Sequence, residues 1–409
     1  MDHTHAAAQF HKASRRPAAS STLMPIMGAV FAGFLVIGFA LPVLPLHVRR
    51  GLGFGTFVVG LVAGSQFVAA VLSRVWAGRH ADVSGPKSAV VAGLITAALA
   101  GLLYLLSFHF VRAPELSISI LLLGRALLGV GESFIITGAQ AWGLAIVGAE
   151  HTGKVLAWVG GAMFAAFAVG APVGTVLYSS HGFLALGIAT TLLPLATLLF
   201  VATLRRVQSS PHVHTGFMRV LAAVWIPGVA SALSSIGFGA ITAFSALLFV
   251  ARGWASWPAF TVFAATFILT RVFLGHLADQ FGGAKVALVF GLIEATGLGL
   301  MWLSPWCVFA LLGAALTGFG YSLVYPSFGV EAVRSAPAQS RGLAMGAYTA
   351  FLDVALGFGT PALGLLASRA GLGSCFVASM MAALGAVGIA AALLSTTSSR
   401  RPRCAYVCP

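Results

Sequence analysis

Charge is what this sequence lacks. Only 8% of its 409 residues are charged, and only 9 are Asp or Glu. Soluble domains carry about 25% charged residues. A chain this poor in charge cannot cover a folded surface with groups that water tolerates, so a water-soluble globular protein is excluded. Cysteine is scarce as well, at 4 residues. Cys307, Cys375, Cys404 and Cys408 show no metal-site spacing with nearby His, so they are read as free thiols, with no metal and no cofactor. No Ser-His-Asp series, metal-ligand helix motif or phosphate loop is present, and no soluble domain is left over for an ATPase. An enzyme is therefore not expected.

What the chain has is apolar length: 59% of its residues are hydrophobic. In lipid a charge at the helix centre costs about 2.5–3.5 kcal/mol on insertion scales, which accounts for the missing charges. The lipid bilayer is the first partner. The net charge of +14 would raise nucleic acid in a soluble protein. Here no basic stretch carries the interleaved aromatics of a stacking platform, so nucleic acid is not a partner. Cationic loops that orient helices explain the balance. Residues 1–22 are polar and basic and show no cleavage pattern before the first apolar run. They are read as a retained tail, whose His3, His5 and His11 suit a mobile polar segment better than a metal site.

A spanning helix needs about 20 largely apolar residues. The sequence predicts twelve, over 24–48, 54–77, 86–109, 116–142, 152–178, 183–204, 218–250, 256–277, 285–303, 306–330, 341–368 and 373–395. Ser304-Pro305 marks the ninth break. With the N-terminus inside, 17 of the 23 Lys and Arg fall on the inner side and 5 on the outer, with Arg125 inside a helix. The inner set includes Arg74 and Arg271, placed at helix ends. The polar stretch 205–217 separates two halves, 23–204 and 218–395, with cytoplasmic tails at 1–22 and 396–409.

The halves repeat one another. Arg74-Val-Trp-Ala-Gly-Arg-His-Ala-Asp82-Val-Ser-Gly85 matches Arg271-Val-Phe-Leu-Gly-His-Leu-Ala-Asp279-Gln-Phe-Gly282. Leu122-Leu-Gly124-Arg125-Ala-Leu-Leu-Gly129-Val-Gly131 matches Leu311-Leu-Gly313-Ala314-Ala-Leu-Thr-Gly318-Phe-Gly320, and Gly170-Ala-Pro172 matches Gly359-Thr-Pro361. Three pairs in one order are hard to assign to chance. Six helices per half insert the halves in the same orientation, as parallel repeats.

These pieces resemble the major facilitator superfamily over essentially the whole chain. Gly78, Asp82, Gly85 and Lys87 resemble its signature between helices two and three, and Gly275, Asp279 and Gly282 resemble a second copy with Lys285 displaced. Val83 stands where the family usually has a basic residue. Leu122, Arg125, Gly129 and Gly131 resemble its fourth-helix motif. Gly170, Pro172 and Gly174 resemble the fifth-helix motif of proton-driven exporters, without the adjacent Gly-Pro. The second-to-third-helix segment and Phe351-Leu-Asp353-Val-Ala-Leu-Gly357 are similar to the YhhS-like branch, grouped with arabinose-efflux-type permeases. The resemblance implies an all-α fold of two six-helix bundles in a bacterial cytoplasmic membrane. It also implies that Asp82 and Asp279 latch one conformation by engaging a neighbouring helix N-terminus, favoured by the helix dipole. The competing reading is an ordinary tight turn.

Arg125, Glu132, Glu294 and Asp353 are the ionisable acids and bases well inside predicted helices. Such residues normally face a cavity or a partner. Arg125 and Glu132 share a face of one helix, two turns apart. Desolvation favours a protonated carboxyl and a neighbouring Arg the ionised one, so a group balanced between them can exchange protons. Arg125, Glu132 and Asp353 are the expected proton and substrate site, with structural polar pairing as the competing role. Glu294 falls in a helix expected to be peripheral. Gln66, Gln140, Trp142, Tyr325 and Tyr348 are weaker pocket candidates, and His47 suggests the outer rim. Gly170, Pro172, Gly174, Gly359 and Pro361 suit either a flexible seam between the halves or generic helix packing. The expected function is proton-driven efflux of a small molecule by a monomer working through alternating access. Proton-coupled uptake of a sugar or organic acid is the first alternative, and a non-transporting sensor or scaffold is the alternative from another class.

Overall fold

The computed structural model describes residues 19–148, 152–207, 217–336 and 341–399. The N-terminal His-containing tail, most of the linker 205–217, and Cys404 and Cys408 lie outside the described residues. The described residues are helical apart from short connections, and no strand occurs among them.

Helix α1 (Ala19–Leu46) continues into a π-helical turn, His47–Gly51, and is followed by α2 (Thr56–Ser84), α3 (Pro86–His109) and α4 (Pro114–Val147). The stretch Thr152–Thr203 is two helices meeting at Gly182, whose φ of 70° and ψ of −166° are not helical. They are α5 (152–181) and α6 (183–203). Then come α7 (Phe217–Ala251), α8 (Pro258–Leu274) with a helical turn Leu277–Phe281, α9 (Gly283–Leu303), α10 (Cys307–Ser335), α11 (Arg341–Ala370) and α12 (Gly373–Ser399). Among the described residues, ten apolar helical stretches are long enough to cross a membrane. One of them, Trp158–Thr203, bends at Gly182 and crosses twice, and the 17-residue α8 supplies the twelfth crossing. Pro at the first position of α3, α4 and α8 starts those helices without losing a hydrogen bond. The start of α1 defines a near face; the α1–α2 connection lies on the opposite, far face.

Small residues bring the helices together as the repeats predict. In α3 and α4, a Cβ added to Gly93 would stand 2.7 Å from the Gly131 carbonyl oxygen. In α9 and α10, Gly297 meets the Gly313 carbonyl at 2.6 Å in the same way. Gly129 packs on the Gln66 carbonyl, and its repeat partner Gly318 on that of Phe263. Only glycine admits such backbone contact.

The residues expected at the helix seam fall into two groups. Gly170 and Gly174 pack on Gly38 and Phe39 of α1, inside their own half, and Gly359 faces Ile236 of α7 in its own half. The halves meet where α2 packs on α11, with Pro361 against Gly60 and Gly64, and where Phe164 of α5 meets Phe267 of α8. Thr56 donates its hydroxyl to the Gly364 carbonyl at 3.0 Å, and the Thr360 hydroxyl, which donates to the Leu356 carbonyl of its own helix at 2.6 Å, lies 3.3 Å from the Gly60 carbonyl. Gly64 meets the Gly357 carbonyl at 2.6 Å and Pro361 at 2.9 Å.

The latch motif is also differently built. Helix α2 runs on to Ser84, so Gly78 is helical and nothing lies within 4 Å of its Cβ position. The sharp turns fall at Gly85 (φ 93°) and Gly282 (φ 91°), where glycine is needed. Asp82 and Asp279 are exposed and have no partner among the described residues in this conformation. The N-terminus of α9 is engaged by Glu331, which accepts from the Ala284 amide at 3.0 Å and pairs with Arg334 at 3.2 Å. Lys87 donates to the Ala202 and Leu204 carbonyls at 2.8 and 2.5 Å, placing a cation at the carbonyl end of α6.

Candidate functional site

Helix α4 carries Arg125 and Glu132, both buried. Because Gly129 lets α4 touch α2, the Gln66 amide reaches Glu132 and donates to its Oε2 at 2.6 Å. Arg125 donates from Nε to the Val62 carbonyl at 3.2 Å and from Nη1 to the Tyr104 hydroxyl at 3.4 Å. The two charges on α4 therefore do not bond to each other, as their spacing predicts. Asp353 of α11 is 2% exposed and forms an ion pair with Arg74 of α2. That pair joins the halves. Glu132 lies in electrostatic range of Asp353, Arg74 and Arg125, so two acids and two bases form one balanced cluster at the seam.

Arg74 was expected at a helix end and is instead a member of this cluster. Its repeat partner Arg271 also points inward, donating to the Ser322 carbonyl at 2.8 Å and standing 5.6 Å from the Phe164 ring centroid. The signal for both was the shared Arg-Val-aromatic start of the repeated motif, eleven residues before the turn glycines Gly85 and Gly282. Phe164 and Asp353 match under the same offset of 189 that relates the α4 and α10 motifs. An ion pair on one side of the molecule thus corresponds to a cation–π contact on the other.

Among the weaker candidates, Gln66 joins Glu132. Tyr325 packs edge-on against Phe164 at 5.8 Å and tilted against Tyr348 at 5.1 Å, and Tyr348 donates to the Tyr325 carbonyl at 2.5 Å. Tyr325 lies in electrostatic range of Asp353, Arg74 and Arg271, so it links the two arginines. Gln140 and Trp142 lie farther along α4 and have no hydrogen-bond partner among the described residues. Two placements are corrected. His47 is not a rim residue: it is 4% exposed and stacks on Phe183 at 3.7 Å. Glu294 is not peripheral: it is fully buried, accepts from the Ser234 hydroxyl at 2.6 Å, and keeps Oε1 without a partner.

Two spaces flank the seam. A void of about 10 Å³ lies among Phe164, Phe167, Phe238, Phe263 and Phe267. On the far face a cavity of about 660 Å³ is lined by Arg49, Arg50 and Thr56 from one half and by Leu247, Ser368 and Leu372 from the other.

Two packed helical bundles, each crossing a membrane six times and bridged by buried charge, define a membrane transporter. The major facilitator superfamily profile matches residues 26–258 and 229–405. The chain is 41% identical over 369 residues to an uncharacterized MFS-type transporter of Salmonella typhimurium, covering 90% of this chain and 95% of that protein. It is 40% identical over 375 residues to the uncharacterized MFS-type transporter YhhS of Escherichia coli K12, covering 91% of each. The solved structure of a D-xylose–proton symporter superposes with a TM-score of 0.74 at 13% identity, covering 90% of this chain and 97% of that one. The chain belongs to the major facilitator superfamily.

Proposed function

We propose that this protein is a proton-coupled exporter of a small molecule, exchanging it for protons by alternating access in a bacterial cytoplasmic membrane. The halves 23–204 and 218–395 rock as units about the central seam, joined by 205–217, with both termini cytoplasmic and one chain sufficing. The observation that carries this reading is the Arg74–Asp353 ion pair. It bridges the two halves, so any rocking that parts α2 from α11 must break it. A proton on Asp353 removes the charge that holds Arg74, and Glu132, in electrostatic range, offers a second place for that proton. Buried charges that served packing alone would be an expense a scaffold has no use for. Asp82 and Asp279, free in this state, are the latches of the alternate one.

The test begins by comparing metabolites of a deletion strain with those of an overexpressing strain, which identifies the exported solute. That solute, added to proteoliposomes holding a pH-sensitive dye, should drive proton movement with the wild-type protein. Glu132→Gln and Asp353→Asn should each abolish it while leaving the protein folded. Full coupling in both variants would sink the site assignment, and solute movement in the same direction as protons would replace export with symport.

A further inference from the structure

We propose that Arg271 is the anion-recognising group of the solute site, and that the transported solute is an organic anion with an apolar body. This rests on the transporter reading above and names its substrate class.

Arg74 and Arg271 are repeat partners, yet only Arg74 has a carboxylate. Arg271 has none among the described residues. Its charge environment consists of the hydroxyls of Tyr321, Tyr325 and Tyr348, all neutral groups. A guanidinium carries five N–H donors. One hydrogen bond is made, to the Ser322 carbonyl, and the Phe164 ring covers one face of the group at 5.6 Å. The other donors make no hydrogen bond among the described residues, and the half-buried side chain leaves them open to a ligand. A half-buried cation without a counter-charge is costly at membrane depth, and something negative that compensates it during the working cycle removes that cost. The planar fork of Arg suits a carboxylate or sulfonate bound through two parallel hydrogen bonds.

The surroundings supply the rest of the recognition. Phe164 and Phe267, next to Arg271, also wall the small aromatic void with Phe167, Phe238 and Phe263. Those residues come from both halves, so rocking widens the void, and its walls suit an apolar or aromatic body. A second, independent observation lies at the far face. The 660 Å³ cavity there has Arg49 and Arg50 in its lining and no Asp or Glu. A cleft lined by charge of one sign raises the local concentration of the opposite sign, so this vestibule gathers or passes anions.

The experiment uses the full-length protein in phosphatidylcholine nanodiscs and follows its thermal unfolding midpoint. The probes are 2-naphthoate, its neutral isostere 2-naphthamide, and the cationic 2-naphthylmethylammonium. Ligand that binds the folded state raises the midpoint. Naphthoate should do so saturably and the other two should not. Arg271→Gln should weaken naphthoate binding by about tenfold or more, the loss of a charge-assisted hydrogen bond. Arg271→Lys keeps the charge and loses the fork. It should fall between the two, and it carries the test alone if the Gln variant does not fold. Equal shifts from all three probes, no shift from naphthoate, or unchanged naphthoate binding in the Arg271 variants would each overturn the proposal. So would a shift that requires phosphatidylglycerol, depends on Arg271 and ignores naphthoate, since the anion would then be a lipid headgroup. Binding is read here without a proton gradient, so loss of anion recognition and loss of proton coupling are separate results.

Discussion

Arg74 and Arg271 show how one repeated residue acquires two tasks. Both extend from the second helix of a half toward the other half. Arg74 meets Asp353, and Arg271 meets Phe164, which holds the matching position. Removing one member of a buried ion pair leaves the other uncompensated, at about 3–5 kcal/mol. Arg74 keeps 15% of its side chain exposed, so Asp353→Asn should cost near the lower end of that range. The double variant Arg74→Met with Asp353→Leu should recover most of the loss, because apolar groups of similar size can replace a buried pair at little net cost. Thermal unfolding in detergent checks this: a double variant no more stable than Asp353→Asn would show that the pair is not the reason for the loss. Transport should stay absent in both, since the stabilised double variant has no proton-accepting group at that place.

At the scale of helices, most of the fold was legible and the contacts were only half so. Apolar length gave all twelve crossings, and the glycine repeats gave the matched Gly93–Gly131 and Gly297–Gly313 approaches. Sequence spacing tells which residues share a helix face, but not which neighbouring helix meets it. For that reason Gly170 and Gly174 were open to a seam reading although they pack on α1, and Arg74 was placed at a helix end although α2 continues to Ser84. Glu294 was discounted by the expected position of its helix, and its burial comes from packing that no local pattern encodes. The difference between glycines yields a measurement. A Cβ at Gly64 would stand 2.6 Å from the Gly357 carbonyl, so Gly64→Ala should destabilise by about 1–3 kcal/mol through overpacking. Gly78 sits in the same helix with nothing within 4 Å, so Gly78→Ala should be neutral or gain up to about 1 kcal/mol from helix propensity. Unfolding midpoints that move together in the two variants would contradict the packing described for α2.

For the whole molecule, the placement of contacts sets the direction in which it can move. From Thr56 and Gly364 at the far face to Arg74 and Asp353, α2 and α11 are in continuous contact. Beyond Asp353 toward the near face, Gly346 of α11 has nothing within 4 Å of its Cβ position, and neither have Gly160 and Gly161 of α5. Among the described residues the halves are therefore zipped along the far side of the seam, and Gly160, Gly161 and Gly346 toward the near side make no such contact. To expose the central charges to the far side, the Thr56–Gly364 hydrogen bond and the contact of Thr360 with Gly60 must part before or together with the ion pair. A covalent bridge at the outermost contact should hold this state. With Cys307, Cys375, Cys404 and Cys408 replaced, the pair Thr56→Cys and Gly364→Cys should cross-link on oxidation, arrest solute exchange across proteoliposomes, and release it on reduction. Anion binding at Arg271 should survive the cross-link if its access runs from the near face and vanish if it runs through the Arg49–Arg50 vestibule. Full exchange by the cross-linked protein would mean that α2 and α11 never separate at the far face, and the rocking motion proposed for the halves would have to be abandoned.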